Sequence, residues 1–223
     1  MVHFTLPEAA RLALASYKPN RFPDLKAQIL TSLNEKHVQA HYLENDVLLV
    51  PGSNSLFDYV LYNLRIFRVG GTRYRVVDSN TERDDRTNMR WHQGFLAHAH
   101  VVIKWLEDDP KLKGKKPKFI IGHSLGAASA QLLAMVYDCP TITFAAPRTR
   151  TDPHTSSRGD KCLNILRSDD PVCKLPSSFH HIGLNHELQP APKKLVGRHH
   201  MSKYIWLLDN HKPGPTLPPR WPL

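Results

Sequence analysis

A short apolar run that leads into a glycine–serine–glycine turn constrains this chain more than any other feature. Residues 119–122 are apolar, residues 122–126 read Gly-His-Ser-Leu-Gly, and residues 125–137 have the Ala- and Leu-rich composition of a helix. Glycines on both sides of Ser124 allow a sharp strand-to-helix turn that presents the serine hydroxyl at the carboxyl end of a sheet. The amino terminus of the helix would then stabilise a developing oxyanion. The segment predicts that Ser124 is a nucleophile.

Strand-like and helix-like segments alternate along the chain, which predicts a mostly parallel sheet covered by helices on both faces. We predict one α/β domain over residues 1–210, with N-terminal helices at 5–34, a catalytic core at 46–209 and a Pro-rich tail at 211–223 without regular structure. The predicted strands are 46–52, 72–77, 119–122, 141–145 and 162–167, the predicted helices are 6–15, 22–33, 94–106, 125–137 and 201–208, and the charged segments 79–90 and 108–118 are predicted loops.

The bulk composition of the 223-residue chain excludes several classes of protein. With 41% hydrophobic and 22% charged residues it is close to the average globular chain, which excludes a wholly disordered one. No apolar run reaches the roughly 18 residues that a membrane-spanning helix needs. The opening residues show no secretory signal, so an intracellular location is favoured. The three cysteines, Cys139, Cys162 and Cys173, lack metal-type spacing and are expected to be reduced thiols in or near the core.

The net charge is the unusual bulk property. Thirty Lys and Arg against 20 Asp and Glu give +10, which suits nucleic-acid binding, attraction to an anionic surface, or solubility alone. The lysine-rich segment 111–118 has no interleaved aromatic residues and belongs to no recognised nucleic-acid-binding module. We therefore interpret it as a solvated loop and expect no nucleic-acid partner.

A nucleophilic serine needs a histidine to take its proton and a carboxylate to orient that histidine. In this kind of fold the chain order is serine, acid, histidine. Asp170 directly follows a predicted strand, with Asp169 as the alternative, and His199 precedes the last predicted helix, with His200 as the alternative. The chain has 14 histidines, and three others lie between Asp170 and His199: His180, His181 and His186.

The whole pattern resembles the class 3 lipase family, the fungal triacylglycerol lipase and plant acyl-hydrolase group of the α/β-hydrolases. The resemblance runs in one order from residue 47 to residue 204, about 70% of the chain. It rests on the nucleophile turn at 122–128, the strand end at 47–53, His92-Gln93-Gly94-Phe95, the segments 143–148, 170–176 and 179–183, and His199 with Tyr204. Pro51 and Cys173 depart from the family pattern, which commonly has Arg and Pro there.

The resemblance implies an α/β-hydrolase fold and roles for individual residues. It implies Ser124 as nucleophile, Asp170 as acid and His199 as base, with no metal or organic cofactor. Ser53 and the backbone N–H of Leu125 would form the oxyanion hole. The apolar interval 54–67 takes the place of the family's lid, or is an ordinary packed helix; its candidate lid or acyl-contact residues are Leu56, Phe57, Tyr59 and Val60.

The expected function is that of a serine hydrolase that cleaves carboxylic esters of lipids, as a lipase or phospholipase-like acyl hydrolase. Lys193, Lys194 and Arg198 lie just ahead of His199, so positive charge would border the site mouth and permit peripheral contact with an anionic lipid surface. Small soluble or feruloyl-type esters are the alternative substrates. A catalytically idle family member that acts as a binding protein is the alternative of another class. The sequence does not predict the oligomeric state.

Overall fold

A seven-stranded sheet runs through the centre of the computed structural model, which describes residues 2–35, 37–52, 66–152, 159–190, 198–210, 218 and 220–222. Five neighbouring strands are parallel, and two antiparallel strands extend the sheet at one edge. In spatial order the strands are β12 (Leu184–Leu188), β11 (Cys162–Arg167), β10 (Thr141–Phe144), β9 (Phe119–His123), β4 (Val47–Val50), β3 (Val38–Leu43) and β2 (Ile29–Glu35). The predicted mostly parallel sheet is confirmed.

Helices cover both faces of this sheet. In the part of the chain that the structure describes they are α1 (Leu6–Ala15), α2 (Pro23–Gln28), α3 (Gln93–Asp108), α4 (Leu125–Tyr137) and α5 (Met201–Asn210). Helix α1 begins with a capping box, in which the Thr5 hydroxyl accepts from the Glu8 N–H while the Glu8 carboxylate accepts from the Thr5 N–H. The four longer helices all match predicted ones to within two residues.

Alternation along the buried strands divides the core into two layers. Val47, Leu49 and Ile121 pack on the face covered by α1 and α5. Leu48 and Ile120 pack on the opposite face, which α3 and α4 cover. Because successive strand side chains point to opposite faces, a strand buried on both sides must be apolar throughout, and β4 is.

Among the described residues, three two-stranded ribbons lie outside the main sheet. They pair β5 (Ile66–Val69) with β6 (Thr72–Arg75), β7 (Thr81–Asp84) with β8 (Met89–His92), and β1 (Phe4–Thr5) with β13 (Arg220–Trp221). All three pairings are antiparallel.

The predicted helical region at 5–34 is wrong in its second half. The second helix is confined to Pro23–Gln28, and residues from Ile29 to Glu35 form a strand along β3, which was not predicted. Leu33 is buried opposite Ala40 in that pairing. The spacing of Leu25, Ile29 and Leu33 fits a helix locally, but pairing with a neighbouring strand decides the conformation.

Two predicted irregular segments contain strands. The charged segment 79–90 forms most of the β7–β8 hairpin, whose buried Asp84 accepts hydrogen bonds from the N–H and hydroxyl of Thr87. The Pro-rich tail contributes β13, because Trp221 is buried and its indole N–H donates to the Lys161 carbonyl at 3.1 Å. At the end of the interval 54–67, Ile66 and Phe67 begin strand β5 and are not helical.

None of the helices in the described ranges has the length and apolar character needed to cross a membrane. The three cysteines are buried and form no disulfide, as predicted.

Candidate active site

Ser124 stands at the junction of β9 and α4 in a backbone conformation that L-residues rarely adopt. Its φ is 58° and its ψ is −124°. The Ser124 N–H donates to the Phe144 carbonyl of β10 at 3.0 Å, and the Ser124 carbonyl accepts from the Ala127 N–H at 3.0 Å. Such a conformation costs about 1–3 kcal/mol and persists because the surrounding structure fixes it. The predicted sharp turn at Ser124 is therefore present.

The two flanking glycines are required by close packing. A Cβ at Gly122 would lie 2.8 Å from the Cβ of Ala130, on the helix that follows the turn. A Cβ at Gly126 would overlap the carbonyl oxygen of Val50, at the end of β4. Without these side chains, α4 approaches the strand ends closely and its amino terminus points at the space beside Ser124.

Ser124, His199 and Asp170 form one hydrogen-bonded chain. The Ser124 hydroxyl lies 2.7 Å from Nε2 of His199, and Nδ1 of His199 lies 2.8 Å from Oδ2 of Asp170. All three side chains are buried. They come from three separate elements, since Ser124 follows β9, Asp170 follows β11 and His199 precedes α5. The predicted order of serine, acid and histidine thus corresponds to physical contact.

Asp170 is held as a carboxylate in a buried position. Burial raises its pKa, but the neighbouring imidazole of His199, the hydroxyl of Tyr204 and the N–H of Val172 together lower it below the ordinary value. Tyr204 donates to Oδ2 at 2.9 Å and Val172 donates to Oδ1 at 3.0 Å. Cys173, which departs from the family pattern, packs with its sulfur 3.5 Å from the Tyr204 hydroxyl.

A second buried network joins the backbone on both sides of the site. The N–H of Gly52 donates to the Tyr17 hydroxyl at 2.9 Å, and that hydroxyl lies 2.5 Å from Nδ1 of His123. Nε2 of His123 lies 3.1 Å from the His199 carbonyl oxygen. These partners require a neutral His123 that accepts at Nδ1 and donates at Nε2. Burial and the nearby His199 lower the pKa of His123 well below its usual value, which maintains that form.

The alternative candidates are engaged elsewhere. Asp169 forms a two-point ion pair with Arg167 at 2.9 Å and lies 3.8 Å from Arg198. Nδ1 of His200 bonds the Ser202 hydroxyl at 2.8 Å. The other three histidines also lie outside the triad: His180 pairs through its backbone with Arg150, His181 bonds the Ala146 carbonyl at 2.9 Å, and His186 lies on the outer strand β12.

Leu125 is the first residue of α4, so its N–H takes no part in hydrogen bonding within the helix. A cavity of about 20 Å³ lies against Ser124, which is room for a water molecule but not for an acyl chain. Ser53 and the candidate contacts Leu56, Phe57, Tyr59 and Val60 lie outside the described residues, as do Lys193 and Lys194. The cavity lining comprises Ile66, Phe67, Val76, Phe95, Ser124, Leu125, Pro147 and Val172.

Residues 70–180 match the sequence pattern of the class 3 lipases. With the strand–serine–helix turn and the parallel sheet in place, that match decides the family. The chain belongs to the class 3 lipase family. It is accordingly a carboxylic ester hydrolase with the α/β-hydrolase fold. A search of curated proteins found no match.

Solved structures of fungal lipases share the fold of this class 3 lipase family member. Lipase II from Rhizopus niveus superposes with a TM-score of 0.59 at 15% identity, covering 84% of this chain and 83% of that one. Lip2 lipase from Yarrowia lipolytica gives 0.54 at 15% identity, covering 87% and 81%. The Rhizomucor miehei lipase in its propeptide complex gives 0.54 at 16%, covering 81% and 66%. At these identities the likeness concerns the fold.

Two residues of the site were not singled out from the sequence of this family member. Tyr17 lies 106 residues before His123, and nothing in its local sequence indicates that contact. His123 stands inside the Gly-x-Ser-x-Gly motif at a position that the motif leaves variable. The apolar run before His123 and the serine after it indicated a site, but nothing in the sequence indicated that Tyr17 is the hydrogen-bond partner of His123.

Proposed function

We propose that the chain hydrolyses carboxylic esters of lipids through an acyl-enzyme formed on Ser124. The observation that carries the proposal is the hydrogen-bonded chain from Ser124 through His199 to Asp170. A serine hydroxyl becomes an effective nucleophile when a histidine takes its proton and a carboxylate orients that histidine and stabilises its charge.

In the first half-reaction, Oγ of Ser124 bonds to the acyl carbon as its proton moves to Nε2 of His199. The tetrahedral intermediate collapses when the carbon–oxygen bond to the alcohol breaks, and His199 gives its proton to the departing oxygen. Water then attacks the acyl-enzyme, again with His199 as base, and releases the carboxylic acid. Asp170 stays ionised throughout, consistent with its lowered pKa.

The oxyanion of each intermediate would lie at the amino terminus of α4. We assign the Leu125 N–H as one donor and Ser53, through its N–H and hydroxyl, as the other. The Leu125 assignment is supported by its position as the first helical residue after the nucleophile. The N–H of Gly52, the residue before Ser53, donates to the Tyr17 hydroxyl, which fixes the backbone at Gly52 beside Ser124.

Lipid esters are favoured over small soluble esters by the chemistry around Ser124. Six of the residues that line the cavity beside it are aliphatic or aromatic, namely Ile66, Phe67, Val76, Phe95, Leu125 and Val172. An apolar lining of this kind beside the nucleophile suits contact with the hydrocarbon chain of a lipid ester.

The test is the release of carboxylic acid from short- and long-chain esters, beside neutral and anionic phospholipids, by the wild-type chain and by Ser124→Ala. We expect hydrolysis of long-chain lipid esters, with turnover lowered by about 10⁶-fold in Ser124→Ala. Hydrolysis of short soluble esters alone would favour the esterase alternative. A folded protein that cleaves no ester would favour the idle binding protein.

A further inference from the structure

The β5–β6 hairpin presents a cationic face to solvent. Ile66 pairs with Arg75 and Arg68 pairs with Arg73, so these four side chains share one side of the ribbon. All four residues are exposed, whereas Phe67 and Val69 on the other side are buried. We call Ile66, Arg68, Arg73 and Arg75 the arginine face.

The hairpin is fixed to the core through its inner side. The ring of Phe67 stacks on Phe95 with centroids 5.5 Å apart and on Tyr74 at 5.6 Å. Gly94, in the first turn of α3, leaves the space for this packing, because a Cβ there would meet Cβ of Tyr74 at 2.6 Å. His92 Nε2 lies 3.0 Å from the Arg75 carbonyl oxygen. The arginine face is therefore displayed on a well-packed support.

The arrangement of charges is costly for the isolated protein. Arg68 and Arg73 are directly opposite each other, and like charges in that position destabilise a ribbon. Residues 66–75 include no acidic residue, and within the described ranges none of the three arginines forms an ion pair. Three guanidinium groups that have no carboxylate partner among the described residues are available to an external anion.

The arginine face is continuous with the site. Ile66 is 48% exposed and also lines the cavity that contacts Ser124. It is the cross-strand partner of Arg75, so apolar and cationic groups lie side by side at the cavity wall. A surface that combines an exposed aliphatic side chain with guanidinium groups suits the boundary between lipid headgroups and acyl chains.

We propose that the arginine face binds the phosphates of an anionic phospholipid surface and thereby brings Ser124 to its substrate. The inference rests on the proposed lipid-ester function, and it names the surface that the substrate forms. Guanidinium groups match phosphate oxygens in two-point hydrogen bonds, and attraction to anionic lipid adds to each contact. The exposed Ile66 favours a membrane over a nucleic acid, which offers no hydrocarbon layer for it.

The test compares two triple variants with the same change in charge. Arg68→Gln, Arg73→Gln and Arg75→Gln together remove the arginine face. Lys111→Gln, Lys113→Gln and Lys116→Gln change exposed side chains in the connection before β9, at the end of the sheet opposite Ser124. Far-UV circular dichroism and thermal unfolding establish that both variants are folded.

Binding is measured by sedimentation with vesicles of phosphatidylglycerol and phosphatidylcholine, and with phosphatidylcholine alone. We expect the arginine variant to bind anionic vesicles about 100-fold more weakly, about fivefold for each arginine, and the lysine variant to change by less than about threefold. Raising salt should weaken wild-type binding. Equal losses in both variants, or no loss in either, would overturn the proposal. The proposal would also be overturned if the wild-type chain bound duplex DNA and not vesicles, and if the arginine variant lost that DNA binding.

Hydrolysis of p-nitrophenyl butyrate, a soluble ester, separates this inference from the proposed function. Both triple variants should cleave it at the wild-type rate, because the side-chain hydrogen bonds of Ser124, His199 and Asp170 run to one another, to Val172 and to Tyr204 and not to the arginine face. If neither the wild-type chain nor the two triple variants cleave any ester, but vesicle binding still depends on the arginines, the proposed function fails and the binding surface stands. If all variants cleave anionic phospholipid equally well, the binding surface fails and the proposed function stands.

Discussion

At the scale of single residues, the site depends on a carboxylate that stays charged without contact with water. Asp170 is fully buried, yet its two oxygens accept hydrogen bonds from His199, Tyr204 and the Val172 N–H. Burial of an unpaired carboxylate costs several kcal/mol, whereas these donors favour the charged form. The hydrogen-bonded environment of Asp170 thus sets the tautomer and orientation of His199.

Asp170→Asn should lower kcat by about 10⁴-fold, because the amide can hold His199 in the wrong tautomer. Tyr204→Phe keeps the ring but removes one donor to the carboxylate, and should cost about 10- to 100-fold. Steady-state kinetics on a soluble ester measure both effects. Similar rates for Asp170→Asn and Tyr204→Phe would contradict the assigned roles.

The Asp170→Asn substitution also affects the stability of the fold. The folded-state pKa of Asp170 lies below the ordinary value of 3.8, so the carboxylate stabilises the fold above that pH, and this contribution is lost as pH falls through the folded-state pKa. Urea unfolding of Asp170→Asn should lack that part of the acid dependence. An unchanged acid dependence would show that Asp170 is not ionised in the native state.

At the scale of elements, the two ends of the chain are joined by the β1–β13 ribbon. Phe4 pairs with Trp221, and Trp221 is 5% exposed in the same core cluster as α1 and α5. Both helices serve the site, since α1 leads to Tyr17 and α5 follows His199. The terminal ribbon therefore supports the elements that hold the two buried networks.

Trp221→Ala should lower the free energy of unfolding by about 3–5 kcal/mol, because it leaves a cavity in that cluster. Trp206→Ala is the matched control: Trp206 is 42% exposed on α5, and its loss should cost about 1 kcal/mol or less. Urea denaturation of the two variants gives both values. Equal costs would contradict the role of the terminal ribbon.

Elements whose signal is local were predictable, and elements held by distant partners were not. The apolar run and Ala-rich segment around Ser124 gave β9 and α4, with α4 bounded as predicted at residues 125 and 137. The β7–β8 hairpin was missed because its sequence is largely charged and its buried Asp84 is satisfied by the N–H and hydroxyl of Thr87. Strand β13 was missed because its partner β1 lies at the other end of the chain. Tyr17 was missed for the same reason, since its contact with His123 is purely tertiary.

At the scale of the whole molecule, the fold brings chemical groups from distant parts of the chain to one edge of the sheet. Ser124 and Asp170 follow the carboxyl ends of the parallel strands β9 and β11, and His199 meets them from the start of α5. The net charge of +10 is a property of the whole chain, but the arginine face places part of that charge beside the same edge of the sheet. The same fold therefore positions both the candidate active site and the arginine face.

The central claim is that Ser124 is the nucleophile, and covalent labelling tests it most directly. A fluorophosphonate should react once per chain as Oγ of Ser124 displaces fluoride, and peptide mass spectrometry should place the adduct on residues 119–137. Labelling should disappear in Ser124→Ala and persist in Ser202→Ala, which changes a serine bonded to His200. An adduct on another residue, or no adduct on the folded wild-type protein, would contradict the claim.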